Sequence, residues 1–301
     1  MSFSSQQAPL IRKLVVIGIG LIGGSFAAGL KRRGACEEVI GISRNYEQAK
    51  QAVDLQVVDR AFTSLNQISA QLTEQDVIFI AVPTLSVEKV LMDIRDSVKA
   101  KVTITDGASV KGNVLQAAER VFGSCPAELV LGHPIAGSEK SGVTAANPDL
   151  YENHRVILTP VSSTNIERLQ TVCGLWECLG AEVLTMTVED HDEVLAATSH
   201  LPHAIAYSLV DTLAHDIGNP NIFRYAAGGF RDFTRIASSD PVMWHDIMKA
   251  NKSAILKALD LFTDNLQRMR SSIEKEDSEY LLEVFSRAKE ARDEYTKMLK
   301  K

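Results

Sequence analysis

The sequence predicts an α/β protein in which a doubly wound Rossmann sheet is followed by an all-α C-terminal domain. Three observations predict it. Up to about residue 188, short β-branched runs alternate with stretches of helical periodicity, the pattern of successive βαβ units. Those runs are continuously apolar rather than alternating, as in strands covered on both faces. From Glu189 onward helical periodicity is almost unbroken. The expected domains are 1–188 and 189–301.

Taken in order, residues 13–19 (KLVVIGI) read as a buried parallel strand and 21–33 as the helix after it. Residues 38–43 form a second strand, and 77–81 a later one stopped by Pro83. Residues 101–105, 129–132, 155–159 and 181–187 supply further strands of the sheet. In the helical half, Gly218–Pro220, Gly228–Gly229 and Asp240–Pro241 punctuate the pattern. Residues 271–301 are strongly charged and read as a helix with one solvated face.

Composition narrows the function classes. With 301 residues, 45% hydrophobic and 23% charged, the chain can bury a core in about two domains. A net charge of −6 gives no general basic surface for nucleic acid, so an anionic ligand has to be met by locally placed Arg or Lys. No run approaches the roughly 18 apolar residues that cross a bilayer. The polar start, 1–9, lacks the cationic and apolar segments of a signal peptide. Cys36, Cys125, Cys173 and Cys178 lack CxxC spacing and read as reduced thiols. The expectation is a cytoplasmic protein with no nucleic-acid or membrane partner.

Gly18-Ile19-Gly20-Leu21-Ile22-Gly23 is a GxGxxG run that closes the first strand and opens the first helix. In that context it marks a dinucleotide site: Gly18 for the tight turn, Gly20 for close approach of a pyrophosphate, Gly23 for helix–strand packing. Leu21, Ile22 and Gly23 begin the helix whose free amides meet the phosphates. An NAD site places an acid at the end of the second strand; here Ser43 and Arg44 stand there instead. Both donate and suit a 2′-phosphate, so NADP is expected over NAD.

Three further segments are unlike ordinary structural sequence: DGASVKG at 106–112, GHPIAGSEKSG at 132–142, and SHLPH at 199–203 with GFRDFTRIASSDPVMW at 229–244. The first comes after a sheet strand, at the edge where doubly wound proteins bind ligands. A His–Pro pair between glycines suits neither a helix nor a strand interior, so His133 is expected on a loop beside the nicotinamide. His200 and His203, three apart, have no third ligand at metal spacing, and no metal is expected.

In order and spacing these strings resemble the prephenate/arogenate dehydrogenase family, across nearly the whole chain. The resemblance implies a Rossmann domain joined to a helical substrate-binding domain that forms the homodimer interface. It implies oxidative decarboxylation in tyrosine biosynthesis: hydride leaves C4 of a cyclohexadienyl ring, CO2 leaves C1, and the ring becomes aromatic. By that likeness His133 is the catalytic base, and Ser109 orients it. Arg235 clamps a substrate carboxylate, His203 and Trp244 line the pocket, and Ser138 and Glu139 belong to a closing loop. The chemistry suits these types, since a neutral imidazole accepts a hydroxyl proton near pH 7 and a guanidinium binds carboxylate bidentately.

Plainer roles stay open for each residue: a strand cap for His133, a surface ion pair for Arg235, core packing for Trp244. The sequence also suggests a monofunctional form, without a C-terminal βαββαβ regulatory segment or a chorismate mutase-like extension. Two other readings compete. A β-hydroxyacid or 6-phosphogluconate-type dehydrogenase would carry its acid/base lysine in an interdomain helix motif absent here. A non-catalytic NADP-binding redox sensor would not need His133, Ser109 and Arg235 together.

Overall fold

The structure, a computed structural model, describes residues 9–138, 140–215 and 221–298. The chain divides into two compact units, 1–252 and 253–301. In the first, β1 (Ile11–Ile17), β2 (Cys36–Ile42), β3 (Arg60–Phe62), β4 (Val77–Ile80), β5 (Thr103–Asp106) and β6 (Leu129–Val130) form a parallel sheet in the order β3-β2-β1-β4-β5-β6. Successive residues of a strand point to opposite faces. Leu14, Val16, Val39, Val77 and Phe79 enter one core, with Phe26 and Trp176. Val15, Ile17, Ile40, Ile78 and Ile80 enter the other. Both faces are dry, which is why the runs are continuous rather than alternating.

The helices α1 (Leu21–Arg32), α2 (Tyr46–Asp54), α3 (Val87–Ser97) and α4 (Lys111–Phe122) connect these strands. The chain leaves β1 toward β2 and β3, then returns to lay β4 on the other side of β1. That reversal opens a crevice at the carboxyl ends of β1 and β4, the usual ligand position in such sheets. β3 was not legible in the sequence, being three residues long at a sheet edge with no buried side chain.

One expectation needs correcting. Residues 155–159 and 181–187 do not extend the large sheet. β7 (Gly132–Ile135), β8 (Arg155–Leu158) and β9 (Glu182–Thr185) make a separate sheet, with β7 antiparallel and β9 parallel to β8. Apolar runs report burial, not pairing partners, so the sequence did not distinguish one sheet from two. His133 is corrected with it: it lies in β7 opposite Ile157, not on a loop. β7 is an edge strand, where the missing N–H of Pro134 is tolerated. Between β8 and β9, α5 (Ile166–Cys178) adds Trp176 to the core of Phe26, Phe79 and Tyr151.

The unit continues with α6 (Val188–Leu195), a π-helical turn Ala196–His200, α7 (Leu201–His215), α8 (Gly228–Thr234), a 3-10 turn Arg235–Ser238 and α9 (Pro241–Ala250). Two expected breaks are helix starts. Gly228–Gly229 opens α8, and the Asp240 carboxylate caps α9 by accepting from the Met243 amide, with Pro241 in the first turn. Gly218–Pro220 lies outside the described residues.

In the second unit, α10 (Lys252–Glu274) and α11 (Ser278–Met298) meet at a turn in which Glu276 takes φ 55°. Residues 271–274 thus finish one helix and do not begin the last. Leu261, Leu266 and Ile273 of α10 and Leu282, Phe285 and Met298 of α11 are exposed.

Candidate active site

The turn after β1 fits a nucleotide. Gly18 sits at φ +97°, and a Cβ there would stand 2.5 Å from the Ala81 carbonyl oxygen. A Cβ on Gly23 would stand 2.1 Å from the Gly18 carbonyl oxygen, so α1 packs directly on the turn. In front of Gly20, the residue preceding α1, nothing lies within 4 Å of where a Cβ would be. No side chain caps α1 and no acid stands in its first turn. The first-turn amides of Leu21, Ile22 and Gly23, which have no helical acceptor, face that open space with the positive end of the helix dipole.

At the end of β2, the Ser43 hydroxyl lies 3.2 Å from Gln48 Oε1 and accepts from the Asn45 amide. Arg44 makes no ion pair among the described residues. Asn45 caps α2 through the Glu47 and Gln48 amides, so the turn that carries Ser43 and Arg44 is fixed at both ends.

Near the carboxyl end of β5, the partly buried His133 directs Nδ1 at His191 Nε2, 2.9 Å away. His191, fully buried on α6, directs its own Nδ1 at Asp192 Oδ1, 2.8 Å away. Asp192 Oδ1 also accepts from the Lys111 amide and Oδ2 from the Gly112 amide, at 2.9 and 2.8 Å. The carboxylate therefore caps α4 at the point where the segment carrying Ser109 ends. Ser109, expected to orient His133, makes no hydrogen bond to it; His191 occupies that Nδ1. Below the pair, the fully buried Asp106 and Lys111 form an ion pair, and both reach the Gly132 backbone beside His133.

These surroundings set the charge states. Burial lowers the His133 pKa well below the ordinary histidine value, and His191, Lys111 and His200 lower it further. His191 is also lowered by burial, against an opposing pull from Asp192. Burial works against the Asp192 charge, but the bonds from His191, Lys111 and Gly112 outweigh it and hold its carboxyl below the usual range.

The remaining pocket candidates lie on the helical segments. His200 is buried at the end of the π turn, its Nδ1 3.2 Å from Asn251 Nδ2, and burial pushes its pKa down to about 4. Asn251 Nδ2 also donates to the Asp192 carbonyl at 2.8 Å. His203 donates from Nδ1 to the Ser199 carbonyl at 2.8 Å. Trp244 is buried with Val110 and Ile247 and stacks on His203. Arg235 is exposed at the start of its 3-10 turn without an ion pair among the described residues, and its charge helps depress His203. Arg231, by contrast, is exposed beside Asp232. Ser138 is exposed and accepts from the Lys140 amide; Glu139 lies outside the described residues.

Sequence reasoning missed His191, Asp192 and Asn251. The available signal was the Asp190-His191-Asp192 run, which reads as a solvated acidic face, 58 residues from His133.

The family model described as prephenate dehydrogenase, nucleotide-binding domain, matches residues 26–185, and the one described as prephenate dehydrogenase, dimerization domain, matches 187–287. The chain belongs to the prephenate dehydrogenase family. It is 38% identical to the prephenate dehydrogenase of Bacillus subtilis (strain 168), over 93% of this chain and 75% of that one. A prephenate dehydrogenase from A. aeolicus, solved with hydroxyphenyl propionate and NAD+, is 38% identical over 94% and 98% of the two chains, with a TM-score of 0.87. Synechocystis arogenate dehydrogenase is 29% identical over 94% and 99%, with a TM-score of 0.78. Prephenate dehydrogenases and their arogenate-using relatives are oxidoreductases of tyrosine biosynthesis, and oxidative decarboxylation of a cyclohexadienyl acid is the reaction this fold and family carry. Among the described residues no helix is long and apolar enough to cross a membrane.

Proposed function

We propose that this member of the family uses His133 as the base that takes the C4 hydroxyl proton of prephenate, arogenate or both. The observation that carries the proposal is the His133 imidazole, kept neutral by burial near the carboxyl end of β5 and anchored through Nδ1. As the hydroxyl proton passes to His133, electron density moves toward a C4 carbonyl and makes loss of hydride from C4 easier. A nicotinamide cofactor, its pyrophosphate held at Gly18–Gly23, would supply the hydride acceptor. Loss of CO2 from C1 is driven by aromatisation and needs little from the protein. Arg235 holds a substrate carboxylate, His203 and Trp244 wall the pocket, and Ser109, which makes no hydrogen bond to His133 here, is the serine that orients it once substrate is bound. Ser138 and Glu139 belong to the segment that closes over the ring.

NADP is the proposed cofactor and NAD the alternative. The support is a pair of donors, Ser43 and an Arg44 that makes no ion pair among the described residues, with no acid at the end of β2. We also propose the functional division 1–188 and 189–301, with a homodimer built on the helical domain, supported by the exposed apolar residues of α10 and α11. A cytoplasmic location is supported by four free cysteines. A matrix of prephenate and arogenate against NAD and NADP, read as kcat/KM, tests the assignment. No turnover in any of the four combinations overturns it.

A further inference from the structure

We infer that His191 and Asp192 are positioning residues that keep the proton of neutral His133 on Nδ1 and so present Nε2 as the base. The inference rests on the reading of His133 as base. It comes from counting donors and acceptors along one chain of hydrogen bonds. The Asp192 carboxylate is acceptor only, so His191 Nδ1 must carry the proton in their 2.8 Å contact. A neutral His191 then has a bare Nε2, which can only accept. The atom 2.9 Å from it, His133 Nδ1, must therefore be the donor. Neutral His133 has one proton, and with that proton on Nδ1 its Nε2 holds the free lone pair. The reversed assignment would leave a protonated His191 Nε2 and a bare Nδ1 facing a carboxylate, two acceptors in contact in a buried site.

The chain also serves the charged state. When Nε2 takes the hydroxyl proton, His133 becomes an imidazolium whose Nδ1–H still points along the chain to the Asp192 carboxylate. Burial, His191, Lys111 and His200 oppose that charge, and the Asp192 carboxylate stands at the far end of the hydrogen-bonded chain that starts at the His133 Nδ1–H. Asp192 cannot swing away, because both its oxygens are held by the first two amides of α4. The segment carrying Ser109 and the base are thus fixed by one carboxylate.

Nitrogen-15 histidine NMR of the full chain near pH 8 reads the tautomer directly. The expected result is neutral His133 protonated on Nδ1; protonation on Nε2 overturns the inference. Asp192→Asn can donate from its amide to His191 Nδ1 and reverse the chain. It should lower kcat by roughly two to four orders of magnitude, with cofactor Kd and substrate KM within a fewfold. The acid limb of its kcat profile should move to lower pH. His191→Gln retains an acceptor for His133 Nδ1, so it should keep about tenfold more kcat than His191→Leu. That pair decides if Asp192→Asn does not fold for want of the α4 cap. Wild-type kcat in His191→Leu, or equal losses in Leu and Gln with melting temperature and cofactor affinity falling in step, overturns the inference. His133→Asn at wild-type rate would instead remove the base itself, a separate failure.

Discussion

The Trp244 indole lies stacked on the His203 imidazole, ring centroids 3.6 Å apart and planes 20° from parallel. The contact ties α9 to α7, and Trp244 also packs on Val110, the neighbour of Ser109. The residue expected to touch ligand is thus first a strut for two others of the proposed pocket. Trp244→Ala should cost about 3–5 kcal/mol of stability, as truncation of a buried aromatic does, while Trp244→Phe keeps most of it. Urea unfolding of the two variants measures this, and an alanine variant as stable as wild type contradicts the strut role.

Arg235 is available to a ligand because nothing pairs with it among the described residues. Arg235→Gln should raise KM about tenfold or more, if ~1.5–3 kcal/mol of charged hydrogen bonding is lost. Because its charge helps depress His203, the same variant should raise the His203 pKa, seen by NMR titration. An unchanged KM would move the carboxylate clamp to Arg231.

How far the sequence was legible depended on whether the signal was local. The strand-turn-helix at 11–32 was visible because each glycine in the turn has a steric reason next to it, as Gly23 against the Gly18 carbonyl shows. The proposed site residues fall on segments whose wording departs from core or surface composition; His133 was singled out by its His–Pro setting, whereas Ser109, His203, Arg235 and Trp244 were picked out within those segments by the family resemblance. Long-range pairing left no such trace. The small sheet, the strand setting of His133 and its contact with His191 depend on chain crossings that apolar runs do not encode. Asp192 was hidden for the opposite reason: an acid on an acidic helix reads as solvated, whereas here it caps α4.

Cofactor choice turns on the end of β2. Arg44→Ala should weaken NADP by ~1.5–3 kcal/mol and leave NAD almost untouched, because only the 2′-phosphate needs the guanidinium. Ser43→Asp adds the missing acceptor and repels the phosphate, so NAD becomes preferred. Values of kcat/KM for both cofactors in the three proteins settle it. A wild type that already favours NAD reduces Arg44 to a solvated charge.

His200 makes stability depend on pH. Its pKa is about 4 in the folded chain against the ordinary 6.5, so the folded state binds fewer protons in that interval. Its contribution, about 3 kcal/mol, is present above pH 6.5 and lost as the pH falls toward 4. His133, His191 and His203 are depressed too and act with the same sign. Unfolding free energy should therefore drop between about pH 6.5 and 4, less steeply in His200→Asn. A profile of equal slope in both proteins contradicts the assignment.

Whether His133 is the base of a decarboxylating dehydrogenase is decided by single-turnover and steady-state rates of wild type and His133→Asn. The substrate should be whichever of prephenate and arogenate the wild type oxidises. Wild type should release CO2 and reduced cofactor in equal amounts. His133→Asn should lose roughly two to four orders of magnitude in kcat with KM within a fewfold. Turnover by His133→Asn close to the wild-type rate would contradict its role as base.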